Sequence, residues 1–484
     1  MDNLTRTTIQ LMARRANIVL TDGHWRVLEY AHTYYARNQV GPLYRNIERY
    51  TGVTQDTVER MFPHGLQSVY HWVDIPIQIT HEIPCKPIAN IKASDYREVF
   101  LDHNATTYLR KEVSDAMRKF LDKPLNFANP SSSSTPAKKI HHILEKARFQ
   151  VAHCLGVHHT EIIFTGSGSE AINLAIKGIA FRHLSHPGHL ITSVTEHSAV
   201  LQTIRFLEGL GFNATYLEVD REGIVSAQSV REAIRPDTQL VSIMAANNEI
   251  GVINPIAEIG AICRAIGVPL MVDAVQAFGK IPLHPRDWGV SLLALSGHKI
   301  YAPKGVGALY VAANLPVIPL IHGGEQEDGR RAGTENVMGI LGLGLAAKLA
   351  HRELTREAKR LACLRNQMLT RLQEIEPKMI VNGSLFHRLP NNLNVGFPGI
   401  DSGSLLLSLN QIGISVSVGS ACHSGGTETS HVIRALGVDT DHHGIVRFSL
   451  GLHTTEADLD YFFRYLPSIL SDLRASHDQG QNRH

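Results

Sequence analysis

Five short stretches carry side chains whose types and spacing could do chemistry together. "LSGHKIYAPKG" sets Lys299 just after an apolar run and a Ser-Gly-His turn, so its stem would enter a pocket rather than water. A desolvated lysine has a lowered pKa and can form a Schiff base with a carbonyl. "MVDAVQAFG" closes a second apolar run on Asp273, with Gln276 three residues on, and "VTEHSAV" closes a third before His197. "FTGSGSEAINLA" reads as strand, Gly/Ser-rich turn and helix, an arrangement that leaves backbone N–H groups free for an anion. The turn lacks the Gly-Lys-Ser/Thr of a nucleotide P-loop. It satisfies the loose dinucleotide pattern through Gly166, Gly168 and Ala171, with Glu196 at the end of the next strand. Taken locally, a phosphate-bearing cofactor, a dinucleotide and a plain strand–helix turn are all open readings. Last, "SVSVGSACHSGG" (415–426) leaves Cys422 on a polar loop with nothing bulky beside it.

The elements that must position these groups are legible as an alternation. "EIIFTG", "HLITSVTE", "ATYLEV", "LVSIMAA", "PLMVDA", "LLALSG" and "GALYVAA" are short apolar runs, and helical patterns such as "SEAINLAIKGIAF" and "IAEIGAICRAIG" lie between several of them. That texture predicts βαβ units around a mostly parallel sheet. Ligands of such sheets bind outside the carboxyl ends of the strands, which is where Lys299, Asp273, His197 and the anion turn would meet. Together they describe pyridoxal phosphate better than a nicotinamide, which needs no lysine.

Around this α/β core the chain divides further. Residues 1–85 carry a helical pattern in "GHWRVLEYAHTYYARN", with Thr21 or Asp22 as cap and a break at Pro63 and Gly65. Residues 86–98 read as a linker, 99–350 as the large domain and 351–475 as a small α+β domain entered by a long helix from about Ile340. The polar end, 476–484, reads as a frayed tail. Composition agrees with a soluble globular protein of two or three domains: 484 residues, 43% hydrophobic and 19% charged. A formal charge of only +2 supplies no general field for nucleic acid or an anionic membrane. "VMGILGLGLAA" is too short to span a bilayer, and the first twenty residues carry arginines inside any would-be signal. Five scattered cysteines argue for a reducing, cytoplasmic setting rather than a disulfide framework. Cys154, Cys263 and Cys363, in helical contexts, read as buried and inert. His158–His159 and His442–His443 read as surface histidines, not metal ligands.

From "FLDHNATT" (100–107) to "VRFSLGLHTT" (446–455) the chain resembles the cysteine desulfurases, class-V aminotransferase-like enzymes of pyridoxal-phosphate fold type I. "NPSS", "AANNEIG", "VDAVQAFGK", "SGHK", "GRRAGTENV", "GSACHS" and "RALGV" carry the resemblance. It implies a homodimer acting on L-cysteine with pyridoxal 5′-phosphate. Lys299 would hold the cofactor and move the Cα proton, and His197 would stack on the ring. Asp273 would pair with the ring nitrogen and Gln276 with the phenolic oxygen. Ser169, Ser296 and His298 would hold the phosphate, joined by Thr334 of the other subunit. Asn104, Asn248 and Arg447 would grip the substrate carboxylate. Cys422 would take the sulfur as a persulfide, with His423 or the cofactor region handling its proton, and pass it to an acceptor protein. The twelve-residue spacing from Cys422 to Arg434 is that of the long-loop desulfurases, which feed iron–sulfur assembly and tRNA thiolation.

Selenocysteine lyase is the enzymatic alternative, and a weakly active scaffold for sulfur-relay partners is the non-enzymatic one. Three departures bear on the second. The phosphate turn reads Thr-Gly-Ser-Gly-Ser for the usual Thr-Ser-Gly-Ala-Thr, "SSSSTPAKK" lacks the usual aromatic-Gly-Arg, and "GGEQEDGRR" brings in Glu325 and Asp328. Two added carboxylates would weaken the binding of a dianion unless they face solvent or pair with Arg330 or Arg331. At the amino end, "LTDGHWRVLEYAHTYY…MFPHGLQ" resembles the DsrC/TusE sulfur carriers, whose cysteine sits on a C-terminal arm. Cys85 lies at the corresponding place, either as a sulfur acceptor from Cys422 or as an ordinary linker thiol.

Overall fold

All seven apolar runs form strands of one sheet. The computed structural model describes residues 6, 9–10, 12–13, 18–38, 44–62, 66–73, 96–418, 430–440 and 442–481. In chain order the strands outside and inside that sheet are β1 (Val99–Phe100), β2 (Ile162–Thr165), β3 (His189–Ser193), β4 (Asn213–Leu217), β5 (Thr238–Met244), β6 (Leu270–Asp273), β7 (Leu292–Ser296) and β8 (Gly307–Val311). The sheet order is β2-β8-β7-β6-β5-β3-β4. Only β8 runs against its neighbours. The inner strands are buried along nearly their whole length, with only Gln239 of β5 half-buried, which is why they read as unbroken apolar runs rather than alternating ones. Helices Gly168–Ala180 and Ser198–Glu208 pack Ile172, Ile176, Val200 and Ile204 on one face. Leu144, Val151, Ile259 and Leu343 close the other.

A second core gathers around the antiparallel sheet of β9 (Ile380–Val381), β10 (Asn392–Pro398) and β12 (His443–Ser449), in the order β12-β10-β9. The helix Val337–Ile375 joins the two: Ala346, Ala347 and Leu349 pack in the first core, Leu361, Leu364 and Met368 in the second. Val99 and Leu101 also belong to the second core, because β1 pairs in parallel with β11 (Ile414–Ser415). Leu101 also accepts a bond from Ser449 N–H, which carries the following residues, Asp102 to Thr107, to the sheet's carboxyl edge.

The chain separates into two compact units, Met1–Lys86 and Pro87–His484. In the first, helices Asp22–Asn38, Tyr44–Thr51, Gln55–Met61 and Leu66–Trp72 bury Leu28, Ala31, Ile47, Val58, Phe62 and Val69. His24 ties the His-Trp helix to the Phe-Pro turn: its ring bonds Thr21 Oγ1 (2.8 Å) and Met61 O (3.0 Å) and meets Phe62 edge-on. Most of the expected linker, residues 86–95, lies outside the described residues, as do Pro63, Gly65 and Cys85 of the amino-terminal stretch.

Two local expectations are corrected. The last helix, Glu456–Gln481, runs through most of the stretch read as a frayed tail. Polarity there signalled exposure, and Gln, His and Asp are all compatible with an extending helix. Cys363 is exposed, not buried. It stands two residues from the inward Leu361, which on a helix is nearly the opposite face. Cys154 and Cys263 do have burial that pushes their thiols up to about 12. No helix among the described residues is long and apolar enough to cross a membrane.

Candidate active site

The carboxyl ends of β2, β3, β5, β6 and β7 open on a cleft of about 610 Å3. It is lined by Asn104, Ser169, His197, Asn248, Asp273, Gln276, Ser296, His298, Lys299 and Arg447. Ten expected site residues, from seven separate stretches of chain, therefore converge. Most sit at or beyond a strand end or at a helix start, because that is where a parallel sheet leaves backbone and side chains free to face a ligand, whereas Arg447 reaches in from within β12 of the small sheet.

Asn104 is the hub. Lys299 Nζ donates to its main-chain oxygen (2.5 Å) and to Ala105 O (2.7 Å). Gln276 Nε2 donates to the same Asn104 oxygen at 2.9 Å. The Asn104 side chain gives an N–H to Asn248 O (3.2 Å), and its Oδ1 accepts from Asn391 Nδ2 (3.1 Å) and from Lys280 Nζ (3.2 Å). Lys280 also donates to Gln276 Oε1 at 2.8 Å. Burial, with the neighbouring Lys299 and Arg447 cations, holds the Lys280 ammonium well below the usual lysine range. No role was read for Lys280 from the sequence. Its spacing, four residues beyond Gln276 in a run of tight turns, was the available signal.

Acidic and imidazole groups complete the floor. Asp273, 4% exposed, accepts from Val275 N–H (2.9 Å), and burial raises its carboxyl, opposed first by His197 and then by Lys299. His197 caps helix Ser198–Glu208, its Nδ1 accepting from Ala199 N–H (3.1 Å). His298 bonds Thr106 Oγ1 (3.1 Å) and is lowered to about 4 by burial and by Lys299, Lys304 and Lys280. Glu196 is not available to a ribose, so the dinucleotide reading falls. It is fully buried, accepts from Ser193 Oγ (2.9 Å) and Met244 N–H (2.8 Å), and is raised to about 8, chiefly by burial.

Arg447, 3% exposed, is held by Asp102 (2.6 Å) and Asn248 O (3.0 Å), while its buried Nε has no hydrogen-bond partner among the described residues. Cys422 and His423 lie outside the described residues, but the flanks of their loop are at the cleft. Ser417 pairs with Arg447 through two main-chain bonds. On the other side Ser430 Oγ donates to Glu249 Oε2 (2.5 Å), and His431 lines the cleft with its ring on Glu196 O (2.9 Å).

Thr334 is the one described site residue that does not line the cleft; it is exposed. Glu325 and Asp328 face solvent as well, and Asp328 pairs with Arg330 at 3.2 Å. Neither adds charge to the cleft. The carboxylate that matters in this loop is Glu327, buried against Arg148 at 2.6 Å and bonded by Phe164 N–H (2.9 Å). Arg331 pairs with Glu170 (2.8 Å), whose other oxygen accepts from Gly166 N–H (2.7 Å) in the anion turn.

These residues fit pyridoxal phosphate. The N-terminus of helix Gly168–Ala180 faces the cleft, and a Cβ on Gly168 would come within 2.9 Å of Val275 Cγ2 and 3.1 Å of Ser296 Cβ, so the phosphate cradle requires a bare backbone there. Asp273 is a buried carboxylate in want of a cation such as a protonated ring nitrogen, and Lys299 is an amine set among acceptors.

The comparisons with known proteins agree. The aminotransferase class-V family model matches residues 99–462, and the DsrC like protein model matches residues 1–71, ending before Cys85. Cysteine desulfurase IscS of Dictyoglomus turgidum is 47% identical over 379 residues, 78% of this chain and 96% of that protein. Cysteine desulfurase IscS of Methanosarcina thermophila is 47% identical over 383 residues, 79% of this chain and 94% of that one. Among solved structures, a NifS-like protein superposes with a TM-score of 0.73 at 37% identity, covering 78% of this chain and all of its own. SspA in complex with cysteine gives 0.65 at 36% identity, covering 74% of this chain and all of its own. With a lysine, an aspartate and an anion cradle gathered in one cleft, the chain belongs to the cysteine desulfurases of the aminotransferase class-V family, pyridoxal-phosphate enzymes, here with a DsrC-like unit at the amino end.

Proposed function

We propose that this chain releases sulfur from L-cysteine as a persulfide on Cys422, leaving L-alanine. The observation that carries the reading is the meeting of Lys299, Asp273, Gln276 and His197 in one cleft beside a helix N-terminus. Pyridoxal phosphate, when bound, supplies a sink for the electron pair released at the substrate Cα. The chain's own residues do the rest. Ser169, Ser296, His298 and the helix N-terminus hold the phosphate, and Asp273 holds the charge of the ring nitrogen. Arg447 Nε, Asn104 and Asn248 orient the substrate carboxylate. Lys299 Nζ takes the Cα proton and returns it. The Cys422 thiolate attacks the substrate Sγ, so that an S–S bond forms and the Cβ–Sγ bond breaks, its electron pair staying on the carbon fragment. Protonation of that carbon gives alanine.

Ser417 and His431 bracket the Cys422 loop at the cleft, which supports attack from there. Thr334, exposed and away from its own cleft, supports a homodimer in which it serves the partner. In this reading the sulfur passes to a carrier or scaffold protein for iron–sulfur assembly or tRNA thiolation in the cytoplasm, and Cys85 of the DsrC-like unit is a tethered candidate acceptor. The desulfurase names of the relatives do not favour the selenocysteine-lyase alternative. Purified protein should show a visible cofactor band that Lys299→Ala abolishes, and should make alanine from cysteine. Persulfide mapping should find sulfur on Cys422 in the wild type and none in Cys422→Ser. A colourless wild type, or alanine formation undiminished in Cys422→Ser, overturns the proposal.

A further inference from the structure

We infer that Lys280 is a positioning residue of the cleft, fixing the side-chain amides of Gln276 and Asn104 so that each turns a spare N–H toward the ligand. The inference rests on the reading of the cleft given above. Its basis is an accounting of donors and acceptors. Asn104 O is a carbonyl and can only accept, so the Gln276 atom 2.9 Å from it is the amide nitrogen. Gln276 Oε1 then faces Lys280 Nζ at 2.8 Å. Asn391 Nδ2 is fixed in the same way by Leu450 O (3.1 Å), so the Asn104 atom it meets at 3.1 Å is Oδ1, the atom that also meets Lys280 at 3.2 Å. Both contacts of Lys280 are therefore to oxygens, and a lysine supplies two donors whether charged or neutral.

The consequence reaches the ligand. An amide nitrogen carries two N–H groups. Gln276 spends one on Asn104 O and lines the cleft with the other to give. Asn104 spends one on Asn248 O and lines the cleft likewise. Without Lys280, Gln276 Oε1 loses its donor, and a buried oxygen without a partner drives the amide to turn. Lys299 bonds the main-chain oxygen of the same Asn104, so Lys280 and Lys299 meet through one residue. The other charged or titratable groups near Lys280 are Arg447 with its partner Asp102, His103, His298, and the Arg110, Glu353 and Glu357 side chains of a small adjoining cavity.

The test is the pH titration of the visible band of the holoenzyme. A donor on the cofactor's phenolic oxygen favours the deprotonated form of the chromophore, so losing it moves the midpoint up by about one unit. Lys280→Met should keep the band, since Lys299 is intact, shift the midpoint by that amount and raise KM for cysteine several-fold. Gln276→Ala should shift it equally, and the double variant should add nothing further. Lys280→Leu carries the same expectation if the methionine variant does not fold. An unshifted midpoint in both Lys280 variants, or shifts that add in the double variant, overturns the inference. A wild type with neither band nor alanine production overturns the functional reading instead, so the two failures are distinguishable.

Discussion

Replacing Glu327 by glutamine tests whether a buried ion pair holds the loop beside the anion turn. The Glu327 side chain is 2% exposed and that of Arg148 11%. Arg148 Nη1 and Nη2 meet the two carboxylate oxygens at 2.6 and 2.9 Å, and Phe164 N–H adds a third bond at 2.9 Å. Glu327 and Asp328 sit at φ 51° and 55°, a left-handed conformation that side chains resist. Glu327→Gln keeps the shape and a carbonyl for Phe164 but leaves the Arg148 cation short of its main counter-charge. Breaking a buried pair from one side costs about 3–5 kcal/mol. Arg148 keeps Glu145 at 3.0 Å and Ile162 O at 2.8 Å, so the low end, about 3 kcal/mol, applies. For the unit Pro87–His484 that corresponds to a fall of roughly 4 °C in unfolding midpoint. The assay is thermal unfolding of wild type, Glu327→Gln, Arg148→Met and the double variant. Because the damage comes from a bare buried charge, the double variant should recover most of the loss. A double variant as unstable as the sum of the singles, or a single variant level with wild type, refutes the reasoning.

Two further expectations follow from the cleft. Gly168→Ala puts a methyl against Val275 and Ser296 where neither has room, and should weaken pyridoxal phosphate binding by about tenfold in a fluorescence titration; unchanged affinity would show that the cradle does not need the bare backbone. Glu196 stays protonated in the folded chain up to about 8 but ionises above its ordinary 4.5 when unfolded. Its contribution is thus complete below pH 4.5 and is lost as pH rises through about 8. Glu196→Gln should flatten the decline in stability across that interval when urea midpoints are compared, and a decline as steep as in wild type speaks against a buried neutral acid.

Much of the fold was legible because its signals are local. Every strand of the large sheet announced itself as a short apolar run, and the long helix from Val337 as sustained helical periodicity. The tail and Cys363 misled for the same reason. Composition reports exposure but not whether polar residues continue a helix, and a helical context does not say which face a cysteine takes. Ten candidate site residues were readable from motifs, since strand ends and glycine turns mark where a ligand can approach.

What the order of residues determined by itself was an α/β sheet, an anion turn, a pocket amine and the family they spell. Tertiary structure alone decided which charges are matched. Asp102 holds Arg447 from 345 residues away and Glu327 holds Arg148 from 179, while Glu325 and Asp328 turn to solvent. Lys280 finds Gln276 nearby but Asn104 only through the fold. Periodicity is a property of neighbours along the chain, whereas a buried charge is satisfied by whatever donor or acceptor the packing brings within about 3 Å.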